Sequence, residues 1–489
     1  MIFQSTLDAF DTPTMESIEK QALLYSFSNV FSLALLSDMG ISADFSEEIY
    51  DKLHKLLPGA EDSSSHSIDL NYALFPLRAV YSRGNLGFAD MLGALNAEKK
   101  DLHWNKEHFK KNISPLDQAL LINSEIQLSK YLYHHSLSDS SRSSSGHEKF
   151  IGLLFLHGAM EQGEFCHQHL RNNQGLFIEK KDKSKYKDHI LLKTKDHPIR
   201  WLDQIHMMHA YASLCELLND YNHYPNYYDT EQASYFGELS SQILHVLCHQ
   251  EDDLYDLKTK DLTFIIPLLV KTAHQLHQQE ALEPLVIKLC AELSAREVGG
   301  GKLSRDRQGL KISSLATHGR AITALIEGYK FTQYDRFYGE AKKLYHYLNS
   351  RWNGEINLFG HNKRKKIKYS AMDIASILNG LQSLLSVETN ANNTALLRKQ
   401  LCAFFNSSIN ISGIQVSPPS ISELSNMRSM GNLDPVSPDL LMYEENSCVF
   451  TKEFKINPKR DRIYLQRDHY ETQQALYAAL VLSNLCSKT

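Results

Sequence analysis

The feature that most constrains the fold of this chain is a unit that recurs along it: a helix, a turn rich in Gly or Asn, a polar loop, and a second helix. The clearest copy runs from the turn VGGGKLSRDRQGLK (298–311) into SSLATHGRAITALIEGYKF (313–331). Gly and Asn suit such turns because they readily adopt the left-handed conformation that ends a helix. A helix cannot bury its apolar stripe alone, so consecutive helices joined in this way are expected to pack as antiparallel hairpins.

Apolar residues at helical spacing predict further helices on both sides of this copy. The Ser-Pro pair at 114–115, followed by Asp117, is typical of a helix start, because a Ser oxygen accepts from free backbone N–H groups and Pro fits the first turn. Corresponding helices recur about every 50–60 residues, longer than the roughly 33–47 residues of common helical solenoids. The predicted spans are 15–38, 44–57, 114–133, 148–171, 198–218, 231–249, 262–277, 281–296, 313–331, 335–351, 369–385, 394–407 and 469–485.

Six or seven such hairpins can close into a ring, with helices rich in small residues, such as 370–381 and 475–485, on the inside. In its helix–Gly–apolar–loop–helix pattern, for example LYHYLNSRWNGEINLFGH followed by YSAMDIASILNGL, the chain resembles the six-hairpin (α/α)6-toroid superfamily. That superfamily includes N-acylglucosamine 2-epimerase-like proteins and unsaturated glucuronyl hydrolases. The resemblance covers about residues 114–486 and matches no single family's catalytic motif. We therefore predict an all-α fold, an (α/α) toroid of six to seven helical hairpins, although an open solenoid also fits the pattern.

The domain organisation follows from this prediction. Residues 1–113 are expected to form N-terminal helices that close or cap the ring, and residues 114–489 to form the toroid, in one continuous domain. The segment 409–468 is longer than the other connections and is interpreted as an insertion. Its Pro and Ser content is compatible with a lid and with a surface for a protein partner.

Composition excludes several classes of protein. Hydrophobic residues make up 42% of the 489 and charged residues 22%, which are ordinary globular values. The longest apolar run, 23–36, contains three Ser and one Asn, is too short to span a bilayer and follows acidic residues, so neither a membrane span nor a signal peptide is predicted. Seven scattered Cys without a CxxC pair predict reduced thiols and a cytoplasmic location.

Lys and Arg are concentrated in four predicted loops, although the net charge of the chain is −5. In a toroid these loops would surround one opening, which would then attract anionic ligands. Any one of these loops, taken alone, is also explained as a solvated loop that keeps the protein soluble, but four on one face are harder to explain in this way. Nucleic acid is not expected, since the chain is acidic overall, the segment EDDLYD at 251–256 interrupts the basic loops, and no nucleic-acid motif is present. The four loops are 180–187, 302–311, 363–368 and 459–467.

Candidate catalytic residues occur where inner helices are predicted to begin. In WLDQIHMMHAY, Asp203, His206 and His209 recur every three residues and so share a helical face, and an Asp beside a His is a common acid/base arrangement. A core role for these residues fits the same pattern. Two His at this spacing, with a third ligand such as His318, would also suit a metal, but no third ligand is close in sequence and no metal site is predicted.

Further candidates lie in THGR at 317–320 and at later helix starts. His318 is a candidate acid or base, with a buried core histidine as the alternative, while Asp373 and Glu471 would supply carboxylates across the ring, as glycoside hydrolysis requires. Trp201 is a candidate platform for a sugar ring. The predicted contacts to an anionic substrate are Arg305, Arg307, Arg320, Tyr369 and Arg467.

The resemblance to the toroid superfamily implies a carbohydrate-active enzyme, a hydrolase, isomerase or lyase, that acts on an anionic sugar or oligosaccharide in the central pocket. The alternative is a non-catalytic toroid that binds a protein partner or an anionic polymer through its basic opening. No dinucleotide, nucleotide or metal motif is present, so no cofactor is predicted. Substrate identity, reaction type and oligomeric state are left open by the sequence.

Overall fold

The structure is a computed structural model that describes residues 13–43, 76–86, 104–138, 145–185, 189–195, 198–360, 366–416, 449–457, 462–466 and 469–485. Within these ranges it contains thirteen α-helices. They are α1 (Met15–Phe31), α2 (Pro115–Ser138), α3 (Ser145–His169), α4 (Trp201–Asn219), α5 (Thr230–His249), α6 (Glu251–Tyr255), α7 (Thr259–Gln275), α8 (Gln279–Ala295), α9 (Leu315–Thr332), α10 (Asp335–Asn349), α11 (Ala371–Leu385), α12 (Ala391–Phe405) and α13 (Thr472–Leu485).

Six of these helices form a closed inner ring. In order around the ring they are α2, α4, α7, α9, α11 and α13, and α13 packs back against α2. Outside them, α3 packs on α2, α5 on α4, α8 on α7, α10 on α9, α12 on α11, and α1 on α13. The fold is therefore an all-α (α/α)6 toroid of six hairpins, as predicted. Five hairpins are consecutive in sequence, and the sixth joins the first helix described to the last.

Burial follows from this two-layer arrangement. Every residue of α4 from Leu202 to Leu214 is buried, because an inner helix has neighbours on both sides, an outer helix behind it and the ring interior in front. The apolar core lies mainly between the two layers. By contrast, α10 buries only one apolar stripe, which includes Phe337, Leu344 and Leu348, as expected of an outer helix.

Short strands occur in the connections between helices. In one three-stranded sheet, Phe454 of the central strand lies opposite Tyr369 of one neighbour and Leu465 of the other. The strands are β1 (Gly40–Ser42), β2 (Leu77–Val80), β3 (Arg83–Asn85), β4 (Asn112–Ile113), β5 (Lys180–Asp182), β6 (Leu192–Thr194), β7 (Trp352–Asn353), β8 (Leu358–Phe359), β9 (Ile367–Ser370), β10 (Gln415–Val416), β11 (Val449–Phe450), β12 (Glu453–Asn457), β13 (Arg462–Leu465) and β14 (His469–Glu471).

Sequence-predicted helices and the described helices agree closely from residue 114 onward, with ends that differ by a few residues. The helix predicted at 44–57 lies outside the described residues. Of the insertion 409–468, the described parts contribute β10 to β13, and residues 417–448 lie outside the description. The division of the chain at residue 113 stays a prediction.

Polar contacts join α1 to the segments that follow α12. The Tyr25 hydroxyl donates to Asn410 Oδ1 at 3.0 Å, and the backbone N–H of Phe450 donates to Asn29 Oδ1 at 2.6 Å. Asn410 in turn donates to Gln21 Oε1 at 2.8 Å. None of the helices in the described ranges is both long and apolar enough to cross a lipid bilayer.

Candidate active site in the ring interior

The N-termini of the six inner helices lie at one end of the ring. Residues at the same position in each of these helices lie at about the same depth in the ring, so they form layers. We call the third residue of each inner helix the upper layer. Four of its six members are Asp. An acidic side chain near a helix N-terminus also stabilises the helix through its dipole, whether or not it has a catalytic role. The layer is Asp117, Asp203, Asp261, Thr317, Asp373 and Gln474.

The sixth residue of each inner helix, one turn deeper, belongs to what we call the floor layer. Its members contact one another across the ring: the rings of Phe264 on α7 and Tyr477 on the opposite helix α13 are 5.2 Å apart, edge to face. The His206 and Phe264 rings are 6.0 Å apart. These side chains therefore close the ring interior below the upper layer. The floor layer is Leu120, His206, Phe264, Arg320, Ser376 and Tyr477.

Two carboxyl groups of the upper layer are buried together. Asp117 and Asp203 are each 3% exposed, and burial raises the pKa of both to about 7. The negative charge of Asp203 also raises the pKa of Asp117, while a hydrogen bond from the Ser82 hydroxyl lowers it. Because ionising one group disfavours ionisation of the other, the pair retains a proton near neutral pH.

Asp203 also has a cationic neighbour. Arg200 Nη1 lies 3.6 Å from Asp203 Oδ1, and the Arg200 side chain is 47% exposed. The guanidinium lowers the pKa of Asp203, against the larger effect of burial and the charges of Glu179 and Asp261. Asp203 Oδ1 is buried and accepts no hydrogen bond within the part of the chain that the structure describes. The ion pair with Arg200 is therefore the only polar contact of this oxygen among the described residues.

Arg320 is a buried cation in the floor layer without a carboxylate partner. It is 6% exposed, and its guanidinium lies 4.6 Å from the centre of the Phe264 ring. It donates to hydroxyl oxygens, with Nη1 2.8 Å from Ser376 and Nη2 3.2 Å from Thr317. Among the described residues no carboxylate lies within ion-pair distance of it. The charges of Asp373 and Asp261 also stabilise the guanidinium, but only from beyond ion-pair distance. A buried guanidinium that donates to neutral hydroxyl groups in this way favours an anionic ligand.

His206 completes the site as a neutral imidazole. Burial, followed by the charge of Arg200, lowers the pKa of His206 to about 3. A neutral ring can donate one hydrogen bond and accept another, but it cannot supply a positive charge at physiological pH.

The structure places three predicted catalytic residues in fixed structural contacts. His318 is fully buried; its Nδ1–H donates to the Ser314 carbonyl at 2.8 Å and its Nε2 accepts from Leu303 N–H at 3.0 Å. Asp373 forms a capping box with Ser370 at the start of α11. Glu471 forms an ion pair with Lys452 at 2.7 Å.

The predicted substrate contacts other than Arg320 lie elsewhere or outside the described residues. Trp201 is partly buried against the core. The Tyr369 hydroxyl donates to the Phe359 carbonyl. Arg305 Nε donates to the Ile312 carbonyl at 3.3 Å, and Arg307 pairs with Glu292 and Asp256, both at 2.8 Å. Arg467 lies outside the described residues.

In three of the predicted basic loops, charged side chains contact nearby protein groups. In addition to the Arg307 pairs, Lys180 Nζ donates to the Arg171 carbonyl at 3.4 Å, and Lys368 pairs with Glu453. Together with the four Asp of the upper layer, these contacts give the described part of this end a mixed charge. Residues 186–188, 361–365, 458–461 and 467–468 of the loops and their flanks lie outside the described residues.

The structure thus brings Asp203, His206 and Arg320 together, and adds Asp117, Phe264 and Tyr477, which sequence reasoning did not select. Asp117 was recognised only as part of a helix start. Its position at the third residue of an inner helix, shared with Asp203, is the signal that would have identified it.

No model of a known protein family matches the chain, and a comparison with curated proteins finds no match. Among solved structures, the chain is similar to a D-mannose isomerase at 8% identity, with a TM-score of 0.48 over 74% of this chain and 87% of that one. It is similar to an unsaturated glucuronyl hydrolase from Bacillus sp. GL1 at 9% identity, with a TM-score of 0.44 over 83% and 91%. A GH76 alpha-mannanase from Bacteroides thetaiotaomicron gives 12% identity and a TM-score of 0.41 over 82% and 94%. These identities and TM-scores are too low to carry an argument. The assignment of the toroid fold therefore rests on the helix packing described above.

Proposed function

We propose that this protein is an enzyme that acts on an anionic sugar by general acid/base catalysis in the ring interior. The observation that carries the proposal is the buried pair Asp117 and Asp203, each with a pKa raised to about 7. The same ring interior holds Arg320, a buried cation over the Phe264 ring. Catalytic acids and bases work best when their pKa lies near the operating pH. Sugar is the ligand class implied by the resemblance to the toroid superfamily, an analogy of fold.

The neighbours of the two carboxyl groups suggest different roles for them. Arg200 stabilises the ionised form of Asp203, so Asp203 is the base. Asp117 is buried, and the negative charge of Asp203 raises its pKa further. Asp117 therefore keeps the proton and is the acid. Environments that separate the roles of two carboxyl groups are a recurrent catalytic arrangement.

The floor layer would hold the substrate. The Phe264 and Tyr477 rings offer apolar surface to a sugar ring, while the Arg320 guanidinium would pair with a carboxylate or phosphate on the sugar. Sugar isomerisation, elimination and glycoside hydrolysis all require proton transfer of the kind that the Asp pair can perform. The three reactions are therefore distinguished by their products.

Turnover measurements test the proposal. The native protein is incubated in D₂O with uronates, uronate oligosaccharides and sugar phosphates, and NMR detects deuterium incorporation, new sugars or new reducing ends. Asp203→Asn and Asp117→Asn are each expected to lower kcat at least about 100-fold, with circular dichroism unchanged. Asp335→Asn is the matched control, because Asp335 is an exposed first-turn residue of the outer helix α10.

Full activity in both site variants would refute the assigned roles. If the native protein binds these sugars but converts none of them, the alternative of a non-catalytic toroid is favoured over the enzyme.

A further inference from the structure

The strand that precedes α13 is tied to a chain segment that precedes α2. Strand β14 pairs with β3. The Thr472 hydroxyl donates to the Tyr81 carbonyl at 2.6 Å, and the Thr472 backbone N–H donates to the Ser82 carbonyl at 3.1 Å. Because the Ser82 hydroxyl also forms a hydrogen bond with Asp117, these contacts place β14 beside the proposed acid.

Tyr470 is the residue of β14 that points into the protein. Successive side chains of a strand point to opposite faces, and His469 is exposed whereas Tyr470 is 1% exposed. The centres of the Tyr470 and Trp104 rings are 5.0 Å apart, edge to face, and Trp104 is 4% exposed. Burial, followed by the negative charge of Asp117, raises the pKa of the Tyr470 hydroxyl. This hydroxyl therefore stays protonated within electrostatic reach of the acid pair.

Both aromatic side chains carry a buried donor without an acceptor. Within the ranges that the structure describes, neither the Tyr470 hydroxyl nor the Trp104 indole N–H forms a hydrogen bond, and both polar atoms are shielded from solvent. Buried Tyr and Trp usually find a hydrogen-bond partner, since an unpaired buried donor destabilises the folded state. An acceptor on a bound ligand would satisfy both groups.

An unused acceptor lies in the first turn of α13. Gln474, the upper-layer residue of this helix, donates through its amide nitrogen to Glu471, while its Oε1 is buried and accepts no hydrogen bond from the described residues. The start of α13 and its surroundings thus offer two neutral donors and one neutral acceptor.

The charged groups around this set are paired with one another. Arg83 and Lys452 both contact Glu471 Oε1, at 3.5 and 2.7 Å, so their charges are compensated within the protein. A carboxylate or phosphate carries a charge and only accepts hydrogen bonds, whereas a hydroxyl group accepts and donates without a charge. The set of neutral donors and acceptor therefore matches a hydroxyl group better than an anion.

We propose that the Tyr470 hydroxyl and the Trp104 indole N–H bind a hydroxyl group of the sugar beside Asp117, and so select substrates that carry a hydroxyl group there. The inference rests on the proposed function and divides recognition between two places. Arg320 in the floor layer takes the anionic group, and the two neutral donors take the hydroxyl group. Such a site rejects an analogue without that hydroxyl group, because its buried donors are then left unpaired. Tyr470 and Trp104 contact the substrate but transfer no proton.

Isothermal titration tests this division with D-glucuronate, D-glucose 6-phosphate and tetrahydropyran-2-carboxylate. The first two probes carry an anionic group and ring hydroxyl groups, whereas the third keeps the ring and the carboxylate only. Tyr470→Phe removes the hydroxyl and keeps the ring, so it is expected to weaken binding of the preferred sugar at least about tenfold and to leave binding of the third probe unchanged. Arg320→Met is expected to weaken binding of all three. Tyr334→Phe is the matched control, because Tyr334 is 51% exposed and precedes the outer helix α10.

The stability of Tyr470→Phe separates a ligand contact from a structural role. Because this hydroxyl has no partner among the described residues, its removal is expected to leave the urea midpoint of unfolding unchanged or slightly raised. Tyr211→Phe removes a buried hydroxyl that donates to the Gly163 carbonyl at 3.0 Å, so it is expected to lower the midpoint and leave sugar binding unchanged. An equal fall for both variants would show that the Tyr470 hydroxyl has a structural partner and would overturn the inference.

Two binding results also overturn the inference, and they differ in what they say of the proposed function. If Arg320→Met weakens sugar binding and Tyr470→Phe does not, the inference fails and the proposed function is left intact. If the native protein binds neither D-glucuronate nor D-glucose 6-phosphate at millimolar concentration, the inference fails together with the anionic-sugar function.

A measurement on the native chain removes the dependence on the Tyr470 variant. The chain contains three Trp, so labelling the indole nitrogens with ¹⁵N gives three N–H signals in NMR spectra, and Trp104→Phe identifies the signal of Trp104. The bound sugar is expected to shift this signal and to slow its exchange with solvent hydrogen, while the signal of Trp352 stays in place. A Trp104 signal that does not move when the sugar saturates the protein would contradict the proposed contact.

Discussion

The closest approach of two inner helices yields a quantitative prediction. Gly319 of α9 and Gly380 of α11 face each other, and a Cβ built on Gly319 would lie 2.5 Å from the Ser376 carbonyl oxygen and 2.9 Å from Ile377 Cα. A Cβ on Gly380 would likewise lie 2.5 Å from the Gly319 oxygen. These obstacles are backbone atoms of packed helices, so Gly319→Ala would force α9 and α11 apart.

The expected cost combines two opposing effects. Overpacking a well-packed contact costs about 3 kcal/mol, whereas replacing Gly by Ala inside a helix gains about 1 kcal/mol. Gly319→Ala is therefore expected to lower the free energy of unfolding by about 2 kcal/mol. Because Arg320 Nη1 donates to Ser376 across this same contact, the substitution is also expected to weaken binding of an anionic sugar.

Gly339→Ala provides the matched control. Gly339 lies on the exposed face of α10, and a Cβ there would meet no atom within 4 Å, so this variant keeps only the gain of about 0.5–1 kcal/mol. Urea unfolding followed by circular dichroism measures both variants. If Gly319→Ala is as stable as the native protein, or shifts in the same direction as Gly339→Ala, the close contact of the inner helices is refuted.

Two further predictions concern buried titratable groups. His318→Ala removes the acceptor of Leu303 N–H and the ring that lies 4.7 Å from Tyr347, so the free energy of unfolding should fall by about 3 kcal/mol. The exposed His346→Ala should stay within about 0.5 kcal/mol of the native protein; unchanged stability with lost turnover would instead assign His318 to catalysis. The raised pKa of Asp117 means that the folded state binds this proton more tightly than the unfolded state, whose pKa is near 3.8, so its stabilising effect is lost as pH rises from about 4 to about 7. Urea unfolding at pH 5 and pH 8 should therefore show Asp117→Asn gaining on the native protein at the higher pH, and an equal difference at both would contradict the shift.

The sequence predicted the toroid because its helices are long, strongly periodic and separated by recognisable turns. Hairpin packing then follows from the apolar stripe that each helix must bury. N-terminal helices were expected to close or cap the ring, but α13 was not identified as the partner of α1. Neither helix carries a local sequence signal for a contact across more than 400 residues.

The site was predicted only in part, for a physical reason. Asp203, His206 and Arg320 were selected because polar residues at helical spacing stand out in apolar segments. Whether such a residue faces the ring interior or fixes a loop depends on its rotation about the helix axis. His318 follows Thr317 by a single residue, a rotation of about 100°, and its ring is held by backbone atoms of Leu303 and Ser314.

The contact between α1 and α13 has a consequence for how the molecule assembles. Residues 15–31 are synthesised first among the described helices, yet the partner that buries them is completed only near residue 485. Long-range contacts of this kind are slow to form, and the chain exposes apolar surface until they do. Ring closure is therefore expected to be the last step of folding. Before it occurs, an open ring at high protein concentration can accept the first helix of another copy and form a domain-swapped dimer.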